Sequence, residues 1–112
     1  MKDTNTIIYF KGFKLSMRVK TYPMWPKNTA IVLTDTEDDI PFCTATINTD
    51  QEMPLNTVVI KNYSENRGIL EALIEAGVIE TPFMSQSVGN TTADVCILAS
   101  KYVPKKDPLD RD

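Results

Sequence analysis

The sequence predicts an α+β fold, a mostly antiparallel sheet of about six strands built from hairpins with one α-helix packed on one face. Three observations point to it. Short apolar runs bounded by Gly, Pro, Asn and Asp recur along the chain, and two pairs of them are joined by turns short enough for hairpins. Residues 58–79, VVIKNYSENRGILEALIEAGVI, place an apolar strand, a polar turn and the only helix-like pattern in direct succession. The length of 112 residues suits one hydrophobic core, so residues 1–100 are expected to form a single domain.

Taken in order, residues 1–5 are polar and expected to fray. IIYF at 7–10 and FKLSMRVKTY at 13–22 read as two strands around Lys11-Gly12, with the Gly supplying a positive backbone angle. In the second of them Phe13, Leu15, Met17 and Val19 alternate with Lys14, Ser16, Arg18 and Lys20, the period of a sheet with one buried face. Lys14, Arg18 and Lys20 therefore line one face and are the candidates for contacting nucleic acid. The ordinary reading is a solvated face whose cations pair with acids across strands.

Tyr22-Pro23-Met24-Trp25-Pro26 is a loop, because its two prolines cannot donate to a ladder. It holds the only tryptophan, and Tyr22 and Trp25 belong to the residue types that dominate binding energy at interfaces. The alternative is that Trp25 folds back over an open sheet edge or the end of the core. Residues 29–34 form a third strand, nearly continuous in apolar residues and so central. An acidic turn with Asp35, Glu37 and Asp39 at alternate positions follows. It resembles the start of a Ca²⁺ loop but lacks the Gly at position six and the distal Glu, so a solvated turn is expected. FCTATIN at 42–48 is the fourth strand and TVVIK at 57–61 the fifth.

For the helix, Ser64 is the expected N-cap, with Glu65 at the positive end of the dipole. Ile69, Leu70, Leu73 and Ile74 form the buried stripe, widened by Ala72 and Ala76, and Glu71 and Glu75 mark the wet side. Gly77 closes the helix, with Val78 and Ile79 as the apolar contact beyond it. Gly68 falls in the second turn, where Gly costs about 1 kcal/mol relative to Ala, so its use suggests close approach of another backbone or a partner. Residues 80–94 are turn-rich with no assigned strand, VCILAS at 95–100 is the last strand, and residues 101–112 are expected to be a disordered tail.

Composition restricts function. The net charge is −3 and the pI near 4.9, which argues against a dedicated nucleic-acid binder, since such binding rests on Lys and Arg contacts to phosphate. Histidine is absent, which removes the commonest general base, the Ser-His and Cys-His pairs and the commonest transition-metal ligand. No catalytic residues, metal site or cofactor are therefore assigned. Cys43 and Cys96 sit in apolar strands without CxxC spacing and read as buried thiols; a disulfide between them requires neighbouring strands. No apolar run approaches the roughly 18 residues that span a bilayer, and the first residues lack the order of a secretory signal, so the expected location is cytoplasmic.

The chain resembles an uncharacterised family of small proteins carried on plasmids, conjugative elements and phages. The resemblance runs from about residue 18 to residue 99. It rests on the Ala-Ile-Val-Leu strand at 30–33, Thr-Ile-Asn at 46–48, the Ile-Lys-x-Tyr-Ser-Glu-Asn-x-Gly turn at 60–68 and Ala-Gly-Val-Ile at 76–79. It departs from the family after Thr81, where members show a tidier Gly-containing hairpin. The resemblance implies a mobile-element setting and carries no activity. The expected function is that of an accessory protein acting by protein–protein binding, against a host defence or transfer component. The candidate contacts are Tyr22, Trp25, Asn62, Glu65, Asn66 and Gly68, the last four because a helix start beside a Gly offers N–H groups and close backbone access. Capping alone is the ordinary explanation of Asn62, Glu65 and Asn66. The alternative function is a nucleic-acid-associated protein using the Lys14, Arg18, Lys20 face.

Overall fold

The computed structural model describes residues 2–104, with side chains from Thr6 onward. β1 (Lys2–Phe10) and β2 (Phe13–Thr21) meet at Lys11-Gly12, whose φ angles of 52° and 82° are those of a two-residue hairpin turn. Lys2 already pairs with Val19 and Asp3 with Arg18, so the expectation of a frayed start is corrected: β1 begins at Lys2, with a register shift between Asp3 and Ile7. β3 (Thr29–Asp35) and β4 (Ile40–Thr44) complete an antiparallel sheet of order β1-β2-β3-β4, which places β3 internally as its apolar run required.

The single six-stranded sheet is also corrected. Among the described residues there are seven strands in two sheets, because β5 (Thr57–Ile60), β6 (Met84–Val88) and β7 (Thr91–Ile97) form a second, antiparallel sheet of order β5-β7-β6. The expected fourth strand is split between them for a visible reason. The Ala45 N–H donates to the Ile31 carbonyl in the first sheet at 2.9 Å, while the Ala45 carbonyl accepts from Lys61 N in the second at 2.8 Å. The Ile31 N–H is taken up by the Thr46 hydroxyl at 3.2 Å instead of by backbone. One residue thus serves both ladders, and the chain turns from one sheet into the other, where Ile47 N donates to the Val59 carbonyl at 2.9 Å.

The inner faces of both sheets close on one cluster. Ile8, Leu15, Met17, Ile31 and Leu33 of the first sheet meet Val58, Ile60 and Cys96 of the second, and α1 (Ile69–Glu75) adds Ile69, Leu70 and Leu73. The alternation in β2 is as expected for Leu15, Met17 and Val19, but Phe13 is 43% exposed at the hairpin end and lies 4.8 Å, ring to ring, from Phe42. In α1 the Ile69, Leu70, Leu73 stripe is buried and Glu71 and Glu75 are wet, whereas Ala76 is exposed and does not widen the stripe. Gly77 closes the helix with φ 76°: Val78 N reaches the Leu73 carbonyl and Gly77 N the Ile74 carbonyl, both at 3.0 Å, which is a Schellman motif.

A smaller apolar cluster of Val59, Ala93 and Val95 lies on the other side of the second sheet, covered by Ile47, Met53, Tyr63 and Val88. A 3₁₀ turn at Ser100–Tyr102 buries Tyr102, whose hydroxyl lies 2.6 Å from that of Thr6, so the folded chain runs through the first residues of the segment expected to be a tail. Residues 105–112 of that segment lie outside the described residues. Among the described residues no helix is long and apolar enough to cross a membrane.

Candidate functional site

The loop between β2 and β3 is held at its base and open at its tip. Tyr22 N donates to the Asn28 carbonyl at 2.9 Å and Lys27 N to the Met24 carbonyl at 2.8 Å, with a cis peptide bond between Trp25 and Pro26. Asn28, 3% exposed, works like a rivet. Its amide nitrogen reaches the Gln51 carbonyl at 2.9 Å, its side-chain oxygen accepts from Met53 N at 2.8 Å, and its backbone N–H donates to Asn48 Oδ1 at 3.2 Å. Asn48 Nδ2 in turn reaches the Met24 carbonyl at 3.2 Å. Two loops are thereby tied together, and the large apolar side chains of the tip, Met24 and Trp25, are left 75% and 70% exposed. Trp25 does not fold back over a sheet edge.

Tyr22 lies apart from that tip, half-buried, with its hydroxyl 2.9 Å from Thr46 Oγ1; burial raises its phenol pKa. It lines an open cleft of about 520 Å³ together with Phe42, Cys43, Asn48, Lys61 and Glu65. The cleft joins the foot of the tryptophan loop to the turn that starts the helix, so the structure brings Tyr22, Glu65 and Asn66 to one place. It places Trp25 at the neighbouring loop, tethered through Asn48.

The turn itself is built differently from the expected helix start. Ser64 is not the N-cap; it has φ 54° and opens a 3₁₀ turn at Ser64–Asn66. The N-cap is Gly68, with φ 98° and no side chain to cap with. Asn62 supplies the missing acceptor from six residues upstream: its Oδ1 accepts from Gly68 N at 2.9 Å and from Leu70 N at 3.0 Å. Those N–H groups are therefore occupied, so the donors expected to be open at the helix start are taken by Asn62. Asn66, 2% exposed, donates its Nδ2 to the Thr44 carbonyl at 3.0 Å and so ties the turn to the edge of β4. Gly68 brings its backbone against Phe10. Of the four, Glu65 alone is exposed. Its carboxylate takes Lys61 Nζ at 2.8 Å, and its carbonyl takes Lys11 Nζ at 2.7 Å. The hydrogen bond to Lys61 holds the Glu65 carboxyl below its ordinary range and the Lys61 ammonium above its own.

The capping assignment carries a direct prediction. Asn62→Ala should destabilise the fold by about 0.5–2 kcal/mol, Asn62→Asp should retain most of the stability, since it keeps the acceptor and adds charge at a helix N-terminus, and Ser64→Ala should change it by less than about 0.5 kcal/mol. Urea midpoints of the three variants check it; a larger loss in Ser64→Ala than in Asn62→Ala contradicts the assignment.

Lys14, Arg18 and Lys20 lie on the face of β2 opposite to buried Leu15, Met17 and Val19, away from the cleft lining. Asp3 stands opposite Arg18 in the register. Tyr9, 70% exposed and opposite Lys14, also belongs to this region, and the unbroken apolar run IIYF gave no sign that it faces outward. In the acidic turn Asp35 is buried and its carboxylate accepts from Glu37 N at 2.9 Å, which makes it a turn cap. Among the described residues no group of three or more potential ligands could hold a metal ion.

Both cysteines are free, and their strands lie in different sheets. Burial first, then the Glu65 charge, raises the Cys43 thiol; burial and Asp94 push Cys96 up to about 12. Neither is a thiolate at neutral pH, the form in which cysteine is nucleophilic. The site thus presents an exposed aromatic tip at a fastened loop and, beside it, an open cleft.

Comparison with protein-family models finds no matching family, and comparisons with curated proteins and with solved structures find no match.

Proposed function

We propose that the chain is a small accessory protein of a mobile genetic element that acts by binding another protein, a host defence or transfer component, with Met24 and Trp25 as its principal contact. One observation carries the binding part. The sole tryptophan of the chain is 70% exposed at the tip of a loop whose base is fastened by side-chain and backbone hydrogen bonds. A large aromatic displayed on a rigid support binds with little loss of conformational freedom, and Trp is enriched among the residues that dominate interface energy. The mobile-element setting is supported by the resemblance alone. Its most specific motif, residues 60–68, is accounted for by Asn62 capping the helix, Asn66 fastening β4 and Gly68 turning the backbone, so it speaks for a shared fold rather than a shared activity.

Affinity capture from host lysate tests the proposal. The wild-type chain is expected to retain a stoichiometric protein partner, and Trp25→Ala, folded normally by circular dichroism, is expected to bind it at least about tenfold more weakly. With the isolated partner, the emission of the single tryptophan should shift to the blue as its ring leaves water. Equal capture by the wild-type and Trp25→Ala chains, or no partner above background, counts against the proposal.

A further inference from the structure

An unpaired sheet edge is a template for another strand, and folded proteins block such edges with charges, prolines, bulges or covering groups. Three of the four outer strands here are closed in that way. β1 shifts its register between Asp3 and Ile7, and the Thr6 hydroxyl meets that of Tyr102. β4 contains Pro41, which has no N–H, and its Thr44 carbonyl is taken by Asn66 Nδ2 at 3.0 Å. β5 is bonded on its outer side to the crossing segment through Ile47 N and Lys61 N. β6 differs from all three. It pairs with β7 from Met84 to Val88 without a register shift, has no strand on its other side among the described residues, and consists of Met-Ser-Gln-Ser-Val.

Its composition sharpens the contrast. Residues 81–93 contain no charged side chain, in a chain that is 24% charged overall. Phe83 and Met84, at the start of the strand, are 55% and 51% exposed. A neutral strand can lie antiparallel to a second copy of itself in any register without setting like charges against each other. Pairing about a two-fold axis is also self-complementary, each residue finding the same partner in both directions. With the axis at Gln86, the centre of the strand, Met84 falls opposite Val88 of the second copy and Ser85 opposite Ser87. Met84, Gln86 and Val88 share one face, and Val88 already packs against the Val59, Ala93, Val95 cluster, so the pairing would continue that cluster across the axis.

We propose that β6 is a homodimerisation edge, pairing antiparallel with β6 of a second copy about a two-fold axis at Gln86 to make one six-stranded sheet from two three-stranded ones. Five paired residues bury less than the ~1,200 Å² of a standard interface, which places the dimer in the transient class. Met24 and Trp25 belong to the loop between β2 and β3 and not to β6, so Trp25→Ala is expected to leave association unchanged.

Sedimentation equilibrium on the full chain, from about 10 µM to 1 mM, tests it. The average mass is expected to rise with concentration from 12.6 kDa toward twice that value. Ser85→Lys with Ser87→Lys sets cations opposite one another at both ends and should weaken association at least about tenfold. Ser85→Lys with Ser87→Glu puts unlike charges opposite in the same register and should restore it. A wild-type chain that stays at 12.6 kDa throughout overturns the proposal, even if a foreign strand is found on that edge. So does equal association of the two double variants, which would place the contact elsewhere. If the doubly cationic variant does not fold, association of the Lys and Glu variant at or above wild-type strength still supports the register, and its failure to associate overturns it.

Discussion

Leu73→Ala is expected to lower the free energy of unfolding by about 2–5 kcal/mol, the range for a large buried aliphatic side chain cut back to a methyl. Leu73 is 0% exposed and shares its cluster with side chains from both sheets and from α1. Two terms add. The removed carbons lose their transfer free energy, and the hole left behind costs more where the walls cannot collapse. The cluster around it includes Leu15, Met17, Ile31 and Leu33, which stand on two strands paired on both sides, so little inward relaxation is available and the upper half of the range is expected. Urea unfolding checks this by a lower midpoint at an unchanged slope. Glu71→Ala on the wet side of the same helix should shift stability by less than about 0.5 kcal/mol. A loss of under about 1 kcal/mol in Leu73→Ala would mean that the helix does not close the core in the way described.

That prediction was available from the spacing of Ile69, Leu70 and Leu73, because an apolar stripe depends on local period alone. The same holds for the Lys11-Gly12 hairpin and for the closing Gly77, whose bonding partners lie within five residues. What local pattern could not supply was the division into two sheets. It turns on Ala45 giving its N–H to Ile31 and its carbonyl to Lys61, partners 14 and 16 residues away in opposite directions, and on a threonine hydroxyl standing in for a backbone carbonyl. β6 was missed for another reason: Met-Ser-Gln-Ser-Val has no apolar alternation to mark it as a strand. The usable signal was Gly89-Asn90 between Val88 and Thr91, a two-residue turn of hairpin type, with φ 59° at Gly89. Among the candidate contacts, Asn62 and Asn66 were legible as polar residues near a helix start. Their bonds to Leu70 N and the Thr44 carbonyl, eight and twenty-two residues away, were not.

Gly68→Ala is expected to destabilise the fold by about 1–3 kcal/mol, and its sign separates two accounts of the same residue. If Gly68 sat in the second turn of the helix, Ala would improve stability by about 1 kcal/mol through its higher propensity. At the N-cap with φ 98° the residue occupies backbone space that a Cβ disfavours, so Ala must either strain or shift the turn. Crowding is not the cause. A Cβ built there meets Phe10 Cε1 at 3.4 Å, an ordinary contact, so the cost belongs to the backbone. The penalty has a second route: a shifted turn would move Gly68 N and Leu70 N away from Asn62 Oδ1, and the loss should then overlap with that of Asn62→Ala. The double variant is accordingly expected to lose less than the sum of the two single losses, as residues of one network do. Urea midpoints of the two single variants and the double variant decide it. A stabilised Gly68→Ala would restore the second-turn account, and strict additivity would separate the glycine from the cap.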